Sequence, residues 1–263
     1  MRLRRLTPIA LSSALLLLAT LGAAPASAAP AAYVALGDSY ASGDGAGSYD
    51  PASGGCLRST NAYPATWAAA HAPASFTSVA CAGATTTDVL SSQLSAVAAG
   101  TTLVSITIGG NDVGFSNIMQ TCVLGSDSAC LSAVSAGEQY ADTQLPPALR
   151  TLFAAVHGRA PAAHVVVVDY PHLYTIVSFC IGLDNTKRTA LNQGADHLDA
   201  ALAKGAADAG FTFADVRSQF AGHELCSGQG WLHSITIPIG ESYHPTATGQ
   251  NLGYLPVFTA VAG

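Results

Sequence analysis

The sequence predicts an α/β fold, a three-layer α/β/α sandwich around a five-stranded parallel sheet. Strand-like and helix-like segments alternate along the 263 residues. The strand-like segments are continuous apolar runs, which are typical of strands covered on both faces by helices. Such alternation produces parallel strands joined by right-handed crossovers.

Five apolar runs predict the strands. The first, "AYVALG", ends at a glycine, and the fourth, "AHVVVVDYP", is the strongest and stops at Pro171. The predicted strands span 32–37, 77–83, 102–112, 163–171 and 211–216.

Leucine spacing predicts the helices between them, because apolar residues three and four positions apart share one helix face. Three such patterns run over 90–97, 149–156 and 191–202. Residues 113–137 are expected to form a long loop tied by a cysteine bridge. Pro245 suits the first turn of a closing helix, where proline is tolerated.

The N-terminus predicts a secretory signal peptide over residues 1–28, followed by one domain over 29–263. Three arginines precede an apolar run that ends in "ASA", the pattern of an export signal. Removing 28 residues and three arginines from a chain of charge −6 leaves 235 residues of charge −9. With no basic stripe and no other apolar run of bilayer length, we expect no nucleic-acid partner and no membrane span.

Six cysteines lie in the predicted mature chain, and an even number in an exported protein indicates three disulfides. They are Cys56, Cys81, Cys122, Cys130, Cys180 and Cys226. Six cysteines permit fifteen pairings, of which pairing between neighbours is the simplest. The absence of a CxxC motif and of histidines at ligand spacing indicates no metal site, and no cofactor is expected.

Polar residues follow the first three predicted strands, at the edge where an open parallel sheet binds its ligands. Ser39 follows the first strand, Gly83 the second and Asn111 the third. A nucleophilic serine needs donors for the oxyanion that forms. The backbone N–H groups of Ser39 and Gly83 and the Asn111 amide are the candidates.

The nucleophile also needs a base, and His244 in "ESYHPTATGQ" is the favoured one of eight histidines. His172, at the end of the fourth strand, and His223 and His233, near Cys226, are the alternatives. The remaining four lie in or beside predicted helices and strands.

The four blocks "GDSY", Gly83, "GGND" and "HPT" resemble, in that order, those of the GDSL or SGNH hydrolases. The longer stretches "VALGDSYASGDGAGSY" and "SYHPTATGQ" are similar to the secreted actinomycete-type lipases of that family. The resemblance implies an SGNH, flavodoxin-like α/β/α sandwich, lipase or esterase activity without a metal, and disulfides between neighbouring cysteines.

The partner that orients His244 is left open between two groups. Many family members carry an aspartate three residues before the histidine, and this chain has Glu241 there. The lipase branch that it resembles uses a main-chain carbonyl two residues before the histidine, which here belongs to Ser242. We favour the Ser242 carbonyl.

The sequence therefore predicts a secreted serine ester hydrolase, a triacylglycerol lipase or carboxylesterase that cleaves lipid esters through an acyl-enzyme on Ser39. Its partner is a lipid or other small ester, and a monomer is expected. The alternatives are a carbohydrate acetylesterase and a phospholipase. A glycosidase using Asp38 and Asp112, or a non-catalytic cell-wall binding module, is disfavoured. We expect the two aspartates to hold their loops by accepting hydrogen bonds from backbone N–H groups. Five apolar residues in the loops suit an acyl site or the core equally: Phe115, Ile118, Ile176, Phe179 and Ile237.

Overall fold

A computed structural model describes residues 30–263, so the predicted signal peptide lies outside the described residues. It contains a five-stranded sheet in the order β2-β1-β3-β4-β5, and every pair of neighbouring strands is parallel. This confirms the predicted fold class. The strands are β1 Ala32–Gly37, β2 Ser75–Ser78, β3 Leu103–Thr107, β4 His164–Val168 and β5 Thr212–Ala214.

Helices cover both faces of the sheet. They are α1 Ser39–Ser42, α2 Tyr63–His71, α3 Thr86–Asp88, α4 Phe115–Leu124, α5 Asp127–Thr143, α6 Leu145–Arg159, α7 Asn185–Ala209, α8 Arg217–Phe220 and α9 Leu255–Ala262. Helices α2 and α9 contact each other on one face, and α6 and α7 pack together on the other. Shorter helical turns are Pro51–Cys56, Val89–Gln93, Leu94–Ala96, Ile239–Glu241 and Gly249–Tyr254.

Several predicted boundaries were wrong. The second strand is Ser75–Ser78, earlier than the predicted 77–83, so Cys81 and Gly83 belong to the loop that follows it. β3 and β4 end at 107 and 168, before the predicted 112 and 171. Local apolar patterning does not encode where pairing between strands stops.

Pro245 starts no helix. It pairs with Leu232 in an isolated bridge, and the helical residues that lead into α9 begin at Ala247. The Thr246 hydroxyl accepts from the Gly249 N–H at 3.2 Å and caps this segment, so Pro245 lies before the cap.

The long loop predicted over 113–137 was also wrong, because α4 and α5 occupy most of it. The Ser126 side chain accepts a hydrogen bond from the Ala129 N–H at 3.2 Å and caps α5. The Cys122–Cys130 disulfide joins the two helices across this short turn. Glycines and serines obscured the helical pattern. The buried faces of α4 and α5 pack against each other, and α5 also packs against α7.

The other two disulfides link Cys56 to Cys81 and Cys180 to Cys226. All six cysteines are therefore paired with their neighbours in sequence, as the simplest pairing predicted. Within residues 30–263, none of the helices combines the length and apolar character needed to cross a bilayer.

Gly37 lies where the end of β1 meets β3. Its φ of +126° falls in a region that favours glycine. A Cβ atom at this position would lie 2.2 Å from the carbonyl oxygen of Thr107. The buried side chain of Gln93 accepts a hydrogen bond from the Gly37 N–H and donates one to its carbonyl, both at 2.8 Å. Position 37 therefore has no room for a side chain.

We expect Gly37→Ala to lower the free energy of unfolding by about 2–4 kcal/mol, because overpacking and backbone strain each cost about 1–3 kcal/mol. Denaturant titration measures this loss. Gly47→Ala is the matched control: its φ is +66°, but no atom lies within 4 Å of an added Cβ. Its loss should be about 1–2 kcal/mol. Equal losses in the two variants would contradict a role for the Thr107 contact.

Candidate active site

Ser39 is the first residue of α1, directly beyond the end of β1. The Asp38 N–H donates to the Thr107 carbonyl at 2.9 Å, which ties this turn to β3. The Asp38 carboxylate accepts from the Tyr40 N–H at 3.0 Å and caps α1. The local sequence Gly-Asp-Ser thus supplies a tight turn, a helix cap and a mostly buried hydroxyl that lines a cavity, in three consecutive residues.

Tyr170, which follows β4, fixes the other oxygen of Asp38. Its hydroxyl donates to Asp38 Oδ2 at 2.5 Å and accepts from the Gly110 N–H at 3.1 Å. Burial raises the pKa of Asp38 to about 7, although the bonds from Tyr170 and the Tyr40 N–H oppose the rise. Tyr170 therefore links the loops after β1, β3 and β4. Sequence reasoning missed it because nothing local distinguishes it from any buried tyrosine.

Asp112 is also occupied within the protein. It accepts hydrogen bonds from the N–H and the hydroxyl of Thr86, the latter at 2.6 Å. Asp38 and Asp112 thus hold loops together, which is the interpretation that the sequence favoured over a glycosidase pair.

His244 lies against Ser39. Its Nε2 is 2.7 Å from Ser39 Oγ, and its Nδ1 is 3.1 Å from the carbonyl oxygen of Ser242. The Glu241 carboxylate points elsewhere and accepts from the Tyr49 hydroxyl at 2.8 Å. Of the two candidate partners of His244, only the Ser242 carbonyl contacts the imidazole. This geometry places the Nδ1 proton toward Ser242 and leaves Nε2 free to accept.

The alternative histidines lie away from Ser39. His172 binds Asp196 at 2.8 Å, and His223 stacks on Trp231 with ring centroids 3.7 Å apart. His233 supports the site indirectly: its Nε2 binds the Gly45 carbonyl, and its N–H donates to the His244 carbonyl at 2.9 Å.

The environment of His244 favours the neutral imidazole. The side chain is buried, and burial lowers its pKa to about 4, against the opposing effect of the hydrogen bond to Ser242. The Tyr40 ring lies 5.2 Å from the imidazole between centroids, and the Tyr40 hydroxyl donates to the Tyr243 carbonyl at 2.7 Å. Tyr40 is a second positioning residue that the sequence pattern did not reveal.

The three predicted oxyanion donors come from three adjoining loops. The Asn111 side-chain amide donates to the Ala84 carbonyl at 3.0 Å, which joins the loop after β3 to the loop that holds Gly83. Asn111 and Ser39 line the same cavity, and Gly83 has a φ of +80°. Among the described residues, the backbone N–H groups of Ser39 and Gly83 have no acceptor.

An apolar cavity opens beside Ser39 and runs between α5 and α7. Of the predicted acyl-site residues, Phe115 and Ile118 line it. Ile176, Phe179 and Ile237 do not: their side chains are 45%, 85% and 94% exposed, so this part of the prediction was wrong. The other apolar side chains that line the cavity are Val113, Val134, Leu173, Leu191 and Leu198.

Potential metal ligands are dispersed over the described part of the chain. Nowhere in it do three or more His, Cys, Asp or Glu side chains come together in a group that can hold an ion.

The chain is closely similar to proteins of known activity. Residues 35–252 match the GDSL-like lipase/acylhydrolase family. Lipase 1 of Streptomyces coelicolor is 58% identical over 92% of both chains. The crystal structure of phospholipase A1 from Streptomyces albidoflavus superposes with a TM-score of 0.87 at 50% identity, covering 89% of this chain and 100% of the other.

The structure of an extracellular lipase from Streptomyces rimosus superposes with a TM-score of 0.86 at 55% identity, covering 87% of this chain and 98% of the other. These similarities extend through the turn that carries Ser39 and the segment that precedes α9. The chain therefore belongs to the GDSL-like lipase/acylhydrolase family and is a carboxylic ester hydrolase.

Proposed function

We propose that Ser39 and His244 cleave lipid esters through an acyl-enzyme. The observation that carries this proposal is the 2.7 Å contact between Ser39 Oγ and His244 Nε2. Because Nδ1 faces the Ser242 carbonyl, the neutral imidazole keeps its proton on Nδ1 and presents an unprotonated Nε2 to the serine. Nε2 takes the hydroxyl proton as Oγ forms a bond to the ester carbonyl carbon.

The tetrahedral intermediate then collapses, and the C–O bond to the alcohol breaks as His244 returns the proton to the leaving oxygen. Water then gives a proton to Nε2 as its oxygen attacks the acyl carbon. The bond between the acyl carbon and Ser39 Oγ breaks, His244 returns the proton to Oγ, and the acid is released. The oxyanion is held by the N–H groups of Ser39 and Gly83 and by the Asn111 amide. The Asn111 amide also donates to the Ala84 carbonyl, and this second hydrogen bond orients the amide.

We propose that the apolar cavity holds the acyl chain, which makes long-chain lipids the substrate class. Its wall of valine, leucine, isoleucine and phenylalanine side chains beside Ser39 supports this assignment. A site for acetyl esters would need no such cavity. Triacylglycerols and phospholipids share the acyl group, and the similarity to a phospholipase A1 supports a phospholipid as the second candidate substrate.

We propose that the protein is secreted and acts as a monomer. The pattern of residues 1–28, the three disulfides and the similarity to an extracellular lipase support secretion. Disulfides persist in oxidising compartments outside the cell. Ser39 and His244 come from the same chain, so the site needs no residue from a second copy.

Hydrolysis of p-nitrophenyl esters from acetate to palmitate tests the proposed function. We expect activity to extend to long chains and to fall by about 10⁴–10⁶-fold in Ser39→Ala and in His244→Ala, as for other serine hydrolases. His172→Ala is the control and should keep its activity. Activity confined to acetate would favour the acetylesterase, and activity that survives Ser39→Ala would overturn the assignment of the nucleophile.

Glu241→Gln tests which group orients His244. The Glu241 carboxylate accepts from Tyr49 and makes no hydrogen bond to the His244 imidazole. We therefore expect kcat to change by less than about tenfold. Loss of the aspartate of a catalytic triad, by comparison, lowers kcat by about 10⁴-fold. Tyr49→Phe is the companion variant: it deletes the hydroxyl that donates to Glu241 and accepts from the Gly45 N–H, whereas glutamine at position 241 keeps an accepting oxygen and removes only the charge. A loss of about 10³-fold or more in Glu241→Gln alone, at unchanged Tm, would transfer the role to Glu241.

The pH dependence of kcat/KM reports the pKa of His244 in the free enzyme. The base must be neutral, and its pKa is lowered to about 4, so activity should stay level below pH 6.5 and fall only as the pH approaches 4. In the unfolded chain His244 takes up a proton near pH 6.5, whereas in the folded protein it does so only near pH 4. The free energy of unfolding therefore falls as the pH is lowered between these two values, and circular dichroism at each pH must show that the protein is still folded. If kcat/KM of the folded protein instead falls with a midpoint near pH 6.5, burial does not lower the pKa of His244.

Asp38, with its pKa of about 7, is the other group that titrates beside Ser39. Asp38→Asn removes that ionisation and keeps an acceptor for the Tyr40 N–H. We expect the acid limb near 4 to persist in this variant.

A further inference from the structure

Seven exposed apolar side chains lie at position 124 and in segments 176–181 and 235–239, which contribute residues to two adjoining grooves on the surface. We call them the apolar face. Five of the seven are more than 70% exposed, and Ile237 reaches 94%. The other large apolar residues that are exposed among those described, Leu131, Tyr140 and Leu252, range only from 36% to 45%. The apolar face comprises Leu124, Ile176, Phe179, Ile181, Ile235, Ile237 and Ile239.

Two adjoining grooves run through this face, and one of them reaches the catalytic histidine. One groove runs from Leu124 past Ile235 and Ile239 to His244. The second contains Ile181 and again Ile235, and both grooves share the wall formed by Val123 and Tyr243. The apolar face is therefore one surface that reaches the active site, because the same residues belong to both grooves.

The side chains of the apolar face carry no formal charge, and the exposed charges beside it are acidic. Asp184, directly after segment 173–183, is exposed and lines the second groove, and the exposed Asp127 follows Leu124 by three positions. The nearby cations are buried: Lys187 Nζ binds the Cys122 and Gly125 carbonyls, and Arg188 binds the Cys180 carbonyl at 2.6 Å. A surface whose cations are buried and whose exposed charges are acidic does not attract anionic lipid headgroups.

Hydrogen bonds and a disulfide hold the apolar segments in place. Cys180, between Phe179 and Ile181, is bonded to Cys226. The Asn185 side-chain amide donates to the Val177 carbonyl at 3.0 Å, and the Thr236 N–H donates to Ser242 Oγ at 3.0 Å. These contacts keep large apolar side chains in water, although burying them would lower the free energy. Contiguous apolar exposure of this kind marks an interaction surface.

We propose that the apolar face docks onto an uncharged or zwitterionic lipid–water interface. This inference rests on the proposed function, since a lipid ester is drawn from such an interface. Docking places the groove that ends at His244 against the lipid, so an ester can enter the site without crossing water. A second copy of the chain on the same face would instead cover the substrate entrance.

Co-sedimentation with phosphatidylcholine vesicles tests the docking. The triple variant Phe179→Ser, Ile181→Ser, Ile237→Ser is compared with Leu131→Ser, Leu252→Ser, which changes exposed leucines outside the apolar face. Both sets carry Ser39→Ala, so that no lipid is consumed. We expect the triple variant to bind about a hundredfold more weakly, given the transfer free energy of three large apolar side chains, and the control to bind like the parent.

Equal vesicle binding by the triple variant and the parent would overturn the proposal. So would tighter binding to phosphatidylglycerol than to phosphatidylcholine vesicles. A parent that sediments as a dimer, fails to bind vesicles and becomes monomeric in the triple variant would assign the face to self-association. With Ser39 intact, kcat/KM on dissolved p-nitrophenyl butyrate should be equal in triple variant and control. If the parent does not cleave that ester, the proposed function fails, independently of docking.

Discussion

The close contact between the ends of β1 and β3 determines where Ser39 lies. Gly37 approaches the Thr107 carbonyl too closely for any Cβ, and Gln93 holds both of its peptide groups. The chain leaves the sheet there, Asp38 caps the next turn, and Ser39 follows with little freedom. The rest of the site is arranged around Ser39. The loops that carry Gly83 and Asn111 lie on one side of it, and the segment that carries His244 lies on the other.

The sequence predicted the parallel sheet and the position of Ser39 and Asn111 at one edge of it, where both line the same cavity. These features depend on local signals, namely continuous apolar runs and polar residues directly after strands. The even cysteine count indicated three disulfides, whereas the pairing came from the simplest arrangement and from the family resemblance. The sequence did not predict α4 and α5, whose buried faces are defined by contacts with each other and, for α5, with α7. Nor did it find Tyr170 or Tyr40, because their roles arise from hydrogen-bond partners 132 and 203 positions away in the chain. It also assigned Phe179 and Ile237 to an acyl site or to the core, since apolar character alone does not distinguish a buried position from an exposed one.

The proposed site combines a buried histidine with two apolar regions, a cavity beside Ser39 and a larger exposed surface near His244. Burial lowers the pKa of His244 and keeps the imidazole neutral, and the Ser242 carbonyl fixes its tautomer without adding a buried negative charge. Beside Ser39, the cavity between α5 and α7 offers an apolar lining for one acyl chain. Around His244, the exposed apolar face offers a larger area of the same character. Exclusion of water therefore lowers the pKa of His244. The same property favours binding of an acyl chain in the cavity and contact of the apolar face with a lipid phase.

We propose that Ser39 forms the covalent intermediate, with His244 as its base. The decisive experiment is intact-mass analysis after treatment with a p-nitrophenyl alkylphosphonate, followed by peptide mapping. We expect one adduct per chain, located on Ser39, absent in Ser39→Ala and formed far more slowly in His244→Ala. Stoichiometric labelling of another residue, or labelling that persists in Ser39→Ala, would contradict it.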